Sequence, residues 1–381
     1  MLLLSLVLCA PQFDLSQTDF HAHFKLHSEH NSLRDSAGGT DGARSFVGFH
    51  GEVEASTALN EYADLVLKGH FHADDEDSEL DITGYLDLDQ MWGDSQIRVG
   101  RFSFGFGDGR VISSNEWRIE ENIHDALLVQ SNLINTDFDF FVSKAVHGVA
   151  SDFEDRMIGA HGEYNFGSSG LIESYMFKRQ QDILGIEEYD FVFRLNDRTD
   201  NGLDYDLMFM LQNGSDLARD ITANAYVIKL SKQLDFGHGV GIEVAVAQGD
   251  GDNPAVRQRY NPGMIDYHKF NGRADILAFS NLMDFSFNYW LNWNERWVMH
   301  VDAHSFARES TSDGVYFGPE VSYAAASSAN GSIASEIDLY LVGDISDEFS
   351  LDFGISLFVP QDSIVHDKEQ YVAFIQAEYA F

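Results

Sequence analysis

Along most of the chain, apolar and polar residues alternate with period two, in segments of roughly eight to twelve residues closed off by turn residues. This is the pattern of strands with one apolar and one polar face. The last segment is the clearest: Tyr371, Ala373, Ile375, Ala377, Tyr379 and Phe381 share one face, while Gln376 and Glu378 lie on the other. The same rhythm sets Ile337, Leu339 and Leu341 against Glu336, Asp338 and Tyr340. It sets Phe349, Leu351, Phe353, Ile355, Leu357 and Val359 against Asp352, Gly354 and Ser356. Trp297, Met299, Val301 and Ala303 alternate with His300, Asp302 and His304, and near the start Phe20, Ala22, Phe24 and Leu26 alternate with His21, His23, Lys25 and His27. About eighteen such segments follow one another, and no helical stretch is long enough to compete.

A β-sandwich also alternates, but here the connections switch between short and long, as the turns and loops of a barrel do. Segments 58–61, 91–94, 167–170, 294–296 and 346–348 are short, whereas 31–44, 105–122, 248–282 and 308–331 are long. The expected fold is all-β: a transmembrane antiparallel up-and-down β-barrel of about eighteen strands, or sixteen if one weak pair merges, with its ends on the short-turn, periplasmic side. Phe381 is expected on the lipid face. Trp92, Trp290, Trp293, Trp297, Phe349 and Tyr379 lie near short turns and are expected to form an aromatic girdle there.

Composition sharpens this picture. Aromatic residues make up 13% of the chain, yet there is no run of eighteen apolar residues, so a membrane-spanning helix is excluded. No linker, repeat or shift in composition divides residues 11–381, which read as one domain. Residues 1–10, MLLLSLVLCA, read as the remnant of a secretory signal with Ala10 as cleavage site, although the basic flank is missing. The single cysteine, Cys9, falls inside it, and the bulky Leu8 argues against lipidation. The formal net charge is −38, from 62 acidic and 24 basic residues, and this field repels a phosphate backbone and excludes nucleic acid as a partner. The acidic run at 74–81 (DDEDSELD) reads as a solvated outer hairpin loop.

Candidate chemistry concentrates in residues 97–125. Strict alternation puts Ile97 and Val99 on lipid and Arg98 in the lumen, but then sends Arg101 to lipid, where mid-membrane arginine costs roughly 2–4 kcal/mol. A β-bulge at Gly100 would resolve this, turning Arg98, Arg101 and Ser103 inward and Phe102, Phe104 and Phe106 outward. Asp108, Arg110, Trp117 and Arg118 follow in the next loop. Arg98, Arg101, Arg110 and Arg118 are therefore the candidate pore-lining residues, forks suited to carboxylates unless they pair with inward acids such as Asp87 and Asp89.

At this window the chain resembles the alginate-export type of outer-membrane porins. Gly100–Arg101, Gly107-Asp108-Gly109-Arg110, Trp117-Arg118 and Asp125 match that family's pattern in order. So do Asn261-Pro262, His268-Lys269-Phe270-Asn271-Gly272, Asp275, Asn281 and His304-Ser305-Phe306. The end of the chain matches through Glu336-Ile337-Asp338-Leu339, the segment GISLFVP at 354–360, and Phe381. The resemblance implies a barrel with a charged, loop-restricted lumen passing anionic sugars, without fixing alginate as the cargo. Its acidity and modest basic count set this chain apart from dedicated alginate exporters.

Other constellations add little. Asp250, Asp252 and Asn253 offer oxygens for a loop calcium, but too few, so the expectation is no cofactor. His21, His23 and His27, and the pair His70 and His72, share lumenal faces and are expected to be wet lining rather than a metal set. There is no G-x-S-x-G, and His124-Asp125 beside Ser113 and Ser114 does not make a triad, so no catalytic residue is expected. The functional expectation is an outer-membrane channel for polar, anionic solutes such as sugar acids or oligosaccharides, in contact with outer-membrane lipid. The alternatives are an adhesive surface barrel with acidic loops, or a membrane-embedded hydrolase. Cargo, direction and oligomeric state are not legible.

Overall fold

The computed structural model describes residues 18–35, 42–73, 78–90, 92–115, 117, 121–147, 155–217, 219–318, 330–362 and 369–381. The signal-like residues 1–10 and Arg118 lie outside that set. Among the described residues a single antiparallel sheet of eighteen long strands forms. They are β1 (Thr18–Asp35), β2 (Gly42–Asn60), β3 (Ala63–Ala73), β4 (Ser78–Asp89), β5 (Gln96–Ser103), β6 (Ile123–Leu133), β7 (Thr136–His147), β8 (Asp155–Phe166) and β9 (Gly170–Gln181). The second half comprises β10 (Ile186–Arg198), β11 (Leu203–Asp216), β12 (Arg219–Gln233), β13 (His238–Ala247), β14 (Leu282–Asn292), β15 (Trp297–Ala307), β16 (Ser332–Asp344), β17 (Phe349–Pro360) and β18 (Gln370–Ala380). Each strand pairs with its sequence neighbours, and β1 pairs with β18 from His23 opposite Ala380 to Asn31 opposite Val372, so the sheet closes on itself and leaves no edge. The backbones of Ala22 and Phe381 exchange two hydrogen bonds of 3.0 Å, which completes the seam.

The alternation read from the sequence becomes the two faces of the wall. Outward positions carry large exposed apolar groups in every sector, among them Phe20, Leu80, Ile82, Phe140, Ile158, Met176, Phe285, Ile337 and Ile355. A monomer in water rarely exposes an apolar belt of this extent, and lipid is the solvent that accommodates it. Phe381 is 65% exposed and its ring stacks on that of Phe24, on the outward side as expected. Phe349 lies opposite Tyr379, and Trp297 sits against Phe353, all outward and near short turns, while Trp92 and Trp293 are exposed in such turns. Trp290 departs from the expected girdle. Its indole N–H donates to Gln233 at 2.9 Å and it lines an interior cavity. The ring lies so close over Gly239 that any side chain there would collide with it.

The expected bulge at Gly100 is absent. β5 pairs without interruption with β4, from Gln96 opposite Asp89 to Arg101 opposite Gly84, and equally with β6. Gly100 has φ +146°, and a side chain there would strike the β4 backbone at Gly84 and Tyr85, so this glycine serves close approach rather than an extra residue. Alternation therefore continues unbroken, and Arg101 faces outward. It makes a bidentate pair with Asp125, at 2.7 and 3.1 Å. Cross-strand register extends this into an outward row of Arg101, Asp125, Lys144, Arg156, Gln180 and Glu187. The next outward row toward the short turns is Val99, Leu127, Val142 and Ile158, each 39–55% exposed. The charged row thus marks the upper rim of the apolar band, where the cost of an arginine falls to about 0–1 kcal/mol, and the ion pair with Asp125 offsets part of that.

Candidate functional site

The interior is built by three long connections that fold into the barrel. At the end of β5 and in the β5–β6 connection, Phe102, Phe104 and Phe106 turn inward rather than outward, each at most 8% exposed. Phe104 and Phe106 pack on Phe141, with ring centroids 5.7 and 5.1 Å away, and Phe106 stacks on His161. The wall they meet is itself apolar on its inner face: Leu128, Met157, Tyr175, Val192, Met208, Met210, Ala223 and Ala225 all belong to one buried cluster. Backbone pairing ties the connections to one another. Ser113 N–H donates to Met264 O at 3.0 Å and Asp266 N–H to Gly109 O at 3.1 Å, while Ala278 and Gly318 bond to Tyr316 and Ile276. The result is a packed core inside the barrel, filling its sector near β6–β12.

Two buried ionic clips hold this plug to the wall. Arg110, 2% exposed, donates to Glu243 of β13 at 2.8 Å and lies over the Phe270 ring at 3.9 Å. Three strands away, fully buried Glu188 of β10 accepts from Arg179 of β9 and, at 2.6 Å, from Arg257 of the β13–β14 connection. Burial first, then the Arg179 charge beside it, lowers Arg257 to about 10. The side chain of Gln212 adds a double clasp, donating to Asn261 O at 2.6 Å and accepting from Asn261 N–H at 2.9 Å. Asp250 uses its carboxylate on the backbone N–H groups of Gln258 and Arg259, at 2.6 and 3.1 Å, and on Arg219 at 3.2 Å. N–H donors thus converge on the oxygens that a loop calcium would require.

The segment around the short helical turn Tyr267–Lys269 divides the remaining lumen. His268 stacks face to face on Trp117, with centroids 3.4 Å apart and planes 1° from parallel, and both rings meet Phe374 edge-on. Its Nδ1–H donates to Asp275 at 3.0 Å, and Arg273 donates to its Nε2 at 3.0 Å. Arg273 in turn pairs with Asp352 at 2.9 Å and lies over the Tyr340 ring. A cavity of about 340 Å³ lies on one side of this partition, lined among others by Lys229, Glu243, Asn288 and His300. A second, of about 480 Å³, lies on the other, lined by Lys25, Lys68, Glu121 and Glu378. His268, Lys269 and Arg273 line both. Lys229 and Ser231 join the first cavity to a third, of about 450 Å³, near the β10–β11 turn.

The neutral His268 ring makes this partition sensitive to acid. Burial, then the neighbouring Arg273 charge, holds its pKa well below the ordinary value. A histidine depressed in the folded state adds stability above its unfolded value of about 6.5, and that stability is lost as pH falls below it. Lowering the pH from about 7 to 5 is therefore expected to loosen the stack and raise single-channel conductance, and His268→Asn should abolish that dependence. A wild-type conductance that stays level across this range counts against it.

Of the four arginines singled out in the sequence, Arg98 faces the lumen, where a bidentate pair with Asp87, both bonds 2.8 Å, occupies it. Arg101 is outside, Arg110 is buried in the clip, and Arg118 is not among the described residues. The three described ones do not meet one another. Missed as site residues were Lys269 and Arg273 at the partition and Glu188 in the second clip. Lys269 and its neighbours had stood out only as part of a motif, because nothing in local periodicity tells an inward loop from an outward one.

The family described as alginate export matches residues 33–377. A comparison with curated proteins finds no match. Among solved structures, OpdO of Pseudomonas aeruginosa is similar with a TM-score of 0.68 at 12% identity, covering 96% of this chain and 97% of that one. The outer membrane protein OpdK of the same organism gives 0.67 at 11%, covering 95% and 98%. OccK5 (OpdH), also from P. aeruginosa, gives 0.66 at 12%, covering 96% and 99%.

Proposed function

The chain belongs to the alginate-export family of bacterial outer-membrane barrels, and from that membership we propose a passive, loop-constricted channel for polar anionic solutes, sugar acids or oligosaccharides above all. Membership places it in the outer membrane and in transport rather than catalysis. The finer reading rests chiefly on Lys269. It is exposed inside the barrel, borders both cavities, and among the described residues has no ion pair. Most other lumenal cations are neutralised: Arg98 by Asp87, Arg194 by Asp206, Arg273 by Asp352. A solute crossing the partition therefore meets a positive charge in a narrow space, while the acidic outer loops act through a field screened within roughly 8 Å at physiological salt.

At a few ångströms one unit charge is worth on the order of 1–4 kcal/mol between bulk-water and near-surface dielectrics. Lys269→Glu is accordingly expected to lower the anion-to-cation permeability ratio several-fold in reversal-potential measurements and to weaken block by uronate oligomers. A wild type that already prefers cations strongly would overturn the anionic reading. The filled sector near β6–β12 favours a second reading, a closed surface barrel, for which purified protein in planar bilayers would show no conductance.

A further inference from the structure

We propose that the inner wall at β2 and β3 binds a divalent transition-metal ion, with zinc-like chemistry, through His50, Glu52 and His70. His50 and Glu52 are two residues apart on the inward face of β2, and His70 of β3 lies directly opposite Glu52. One donor atom from each, an imidazole nitrogen or a carboxylate oxygen, lies within 4.8 Å of the other two. A tetrahedral ion with bonds of about 2.0–2.1 Å needs its ligands roughly 3.3–3.5 Å apart, so side-chain rotations of about an ångström close the site.

What singles out this cluster is what its nitrogens lack. His50 is 4% exposed and neither ring nitrogen has a hydrogen-bond partner; His70 is 5% exposed and its Nδ1 has no hydrogen bond, only the Glu52 carboxylate 3.4 Å away. Burying such groups without hydrogen bonds is costly, and a bound cation would engage them. The other nitrogen of His70, Nε2, sits 2.8 Å from Thr83 Oγ1. With Nε2–H donating to that hydroxyl, the Nδ1 lone pair and the Glu52 carboxylate, 3.4 Å apart, are two acceptors that only a cation between them reconciles, and the hydroxyl is the outer partner that orients the imidazole. Lys68 contacts Glu52 at 2.8 Å but also Glu54 at 3.0 Å, so it keeps a carboxylate when an ion takes Glu52. Glu121, from the β5–β6 connection, lines the same cavity as Glu52 and acts electrostatically on both rings, which leaves the fourth position facing that cavity for a carboxylate or water. The other similar cluster differs in this respect. At His161 both nitrogens are engaged, by Asp139 at 2.7 Å and Glu173 at 3.0 Å, so no lone pair remains for an ion.

The test is calorimetric titration of untagged, detergent-solubilised barrel with Zn²⁺, alongside the visible absorption of Co²⁺. Expected are one saturable site per chain and intense tetrahedral Co²⁺ bands. His50→Ala and His70→Ala should each weaken binding at least tenfold, and His161→Gln should leave it unchanged. Heat-modifiable gel mobility reports that each variant is folded. Lys68→Met, which removes the competitor for Glu52, should tighten binding, and it keeps the proposal testable where a histidine variant fails to fold. Absence of saturable Zn²⁺ binding, or binding that persists without His50 and His70, would overturn the proposal. Neither result bears on conductance, so the channel reading stands or falls separately.

Discussion

Arg110→Ala should open the lumen: single-channel conductance rises several-fold, and a protease added from the loop side cuts within residues 104–122. The arginine is buried, held by one hydrogen bond to Glu243 and by the faces of Phe270 and Phe279. Truncating it removes the cation and leaves Glu243, at the edge of the first cavity, without its hydrogen-bonded partner. Breaking a buried pair from one side costs about 3–5 kcal/mol. Among the described residues Lys229, at 4.0 Å, and His304 are the other cationic groups that act on Glu243, and both belong to the wall, so neither anchors the loop. Glu243→Gln keeps the volume and one acceptor and should show a weaker version of the same change. Wild-type conductance and protease resistance in Arg110→Ala would mean that the apolar packing alone retains the loop.

The second large effect is expected at Glu188. Glu188→Gln leaves two guanidiniums, Arg179 and Arg257, adjacent, buried and without their shared anion. Burial and the Arg179 charge already lower Arg257 to about 10, so the like-charge repulsion is present, and Glu188 is the carboxylate that hydrogen-bonds both guanidiniums. A loss of about 3–5 kcal/mol is expected on the same grounds as above, read as a lower urea midpoint for the folded barrel by heat-modifiable mobility. An unchanged midpoint would show that Asp216, 3.8 Å from Arg257, takes over as counter-ion.

The strands were legible in the sequence because lipid and lumen impose opposite demands at every second residue. Tyr371 to Phe381 and Phe349 to Val359 could be laid out face by face on that basis alone. Phe102, Phe104 and Phe106 were assigned to lipid by the bulge placed at Gly100 to keep Arg101 in the lumen, yet unbroken alternation turns them inward, where the folded-in loops make a dry interior. The clue was in β11, where the unbroken apolar run Leu207-Met208-Phe209-Met210-Leu211 indicates burial on both faces. Arg101 failed for a different reason: its cost was reckoned at mid-membrane, whereas register places it at the rim. Glu188 and Arg273 depend on contacts across 9 to 79 residues of chain, which no local pattern encodes.

The outward row from Arg101 to Glu187 also sets how thick a bilayer this wall accepts. On β8 the distance from Arg156 down to the stacked Tyr164 and Phe166 is eight to ten residues. At about 3.4 Å per residue and a tilt near 40°, that is roughly 21–26 Å of vertical span. In a thicker membrane, submerging the charged rim would approach about 2–4 kcal/mol per cation, whereas compressing the acyl chains costs a fraction of a kcal/mol per ångström. The lipid yields first, so beside β5–β10 the leaflet thins to meet the protein.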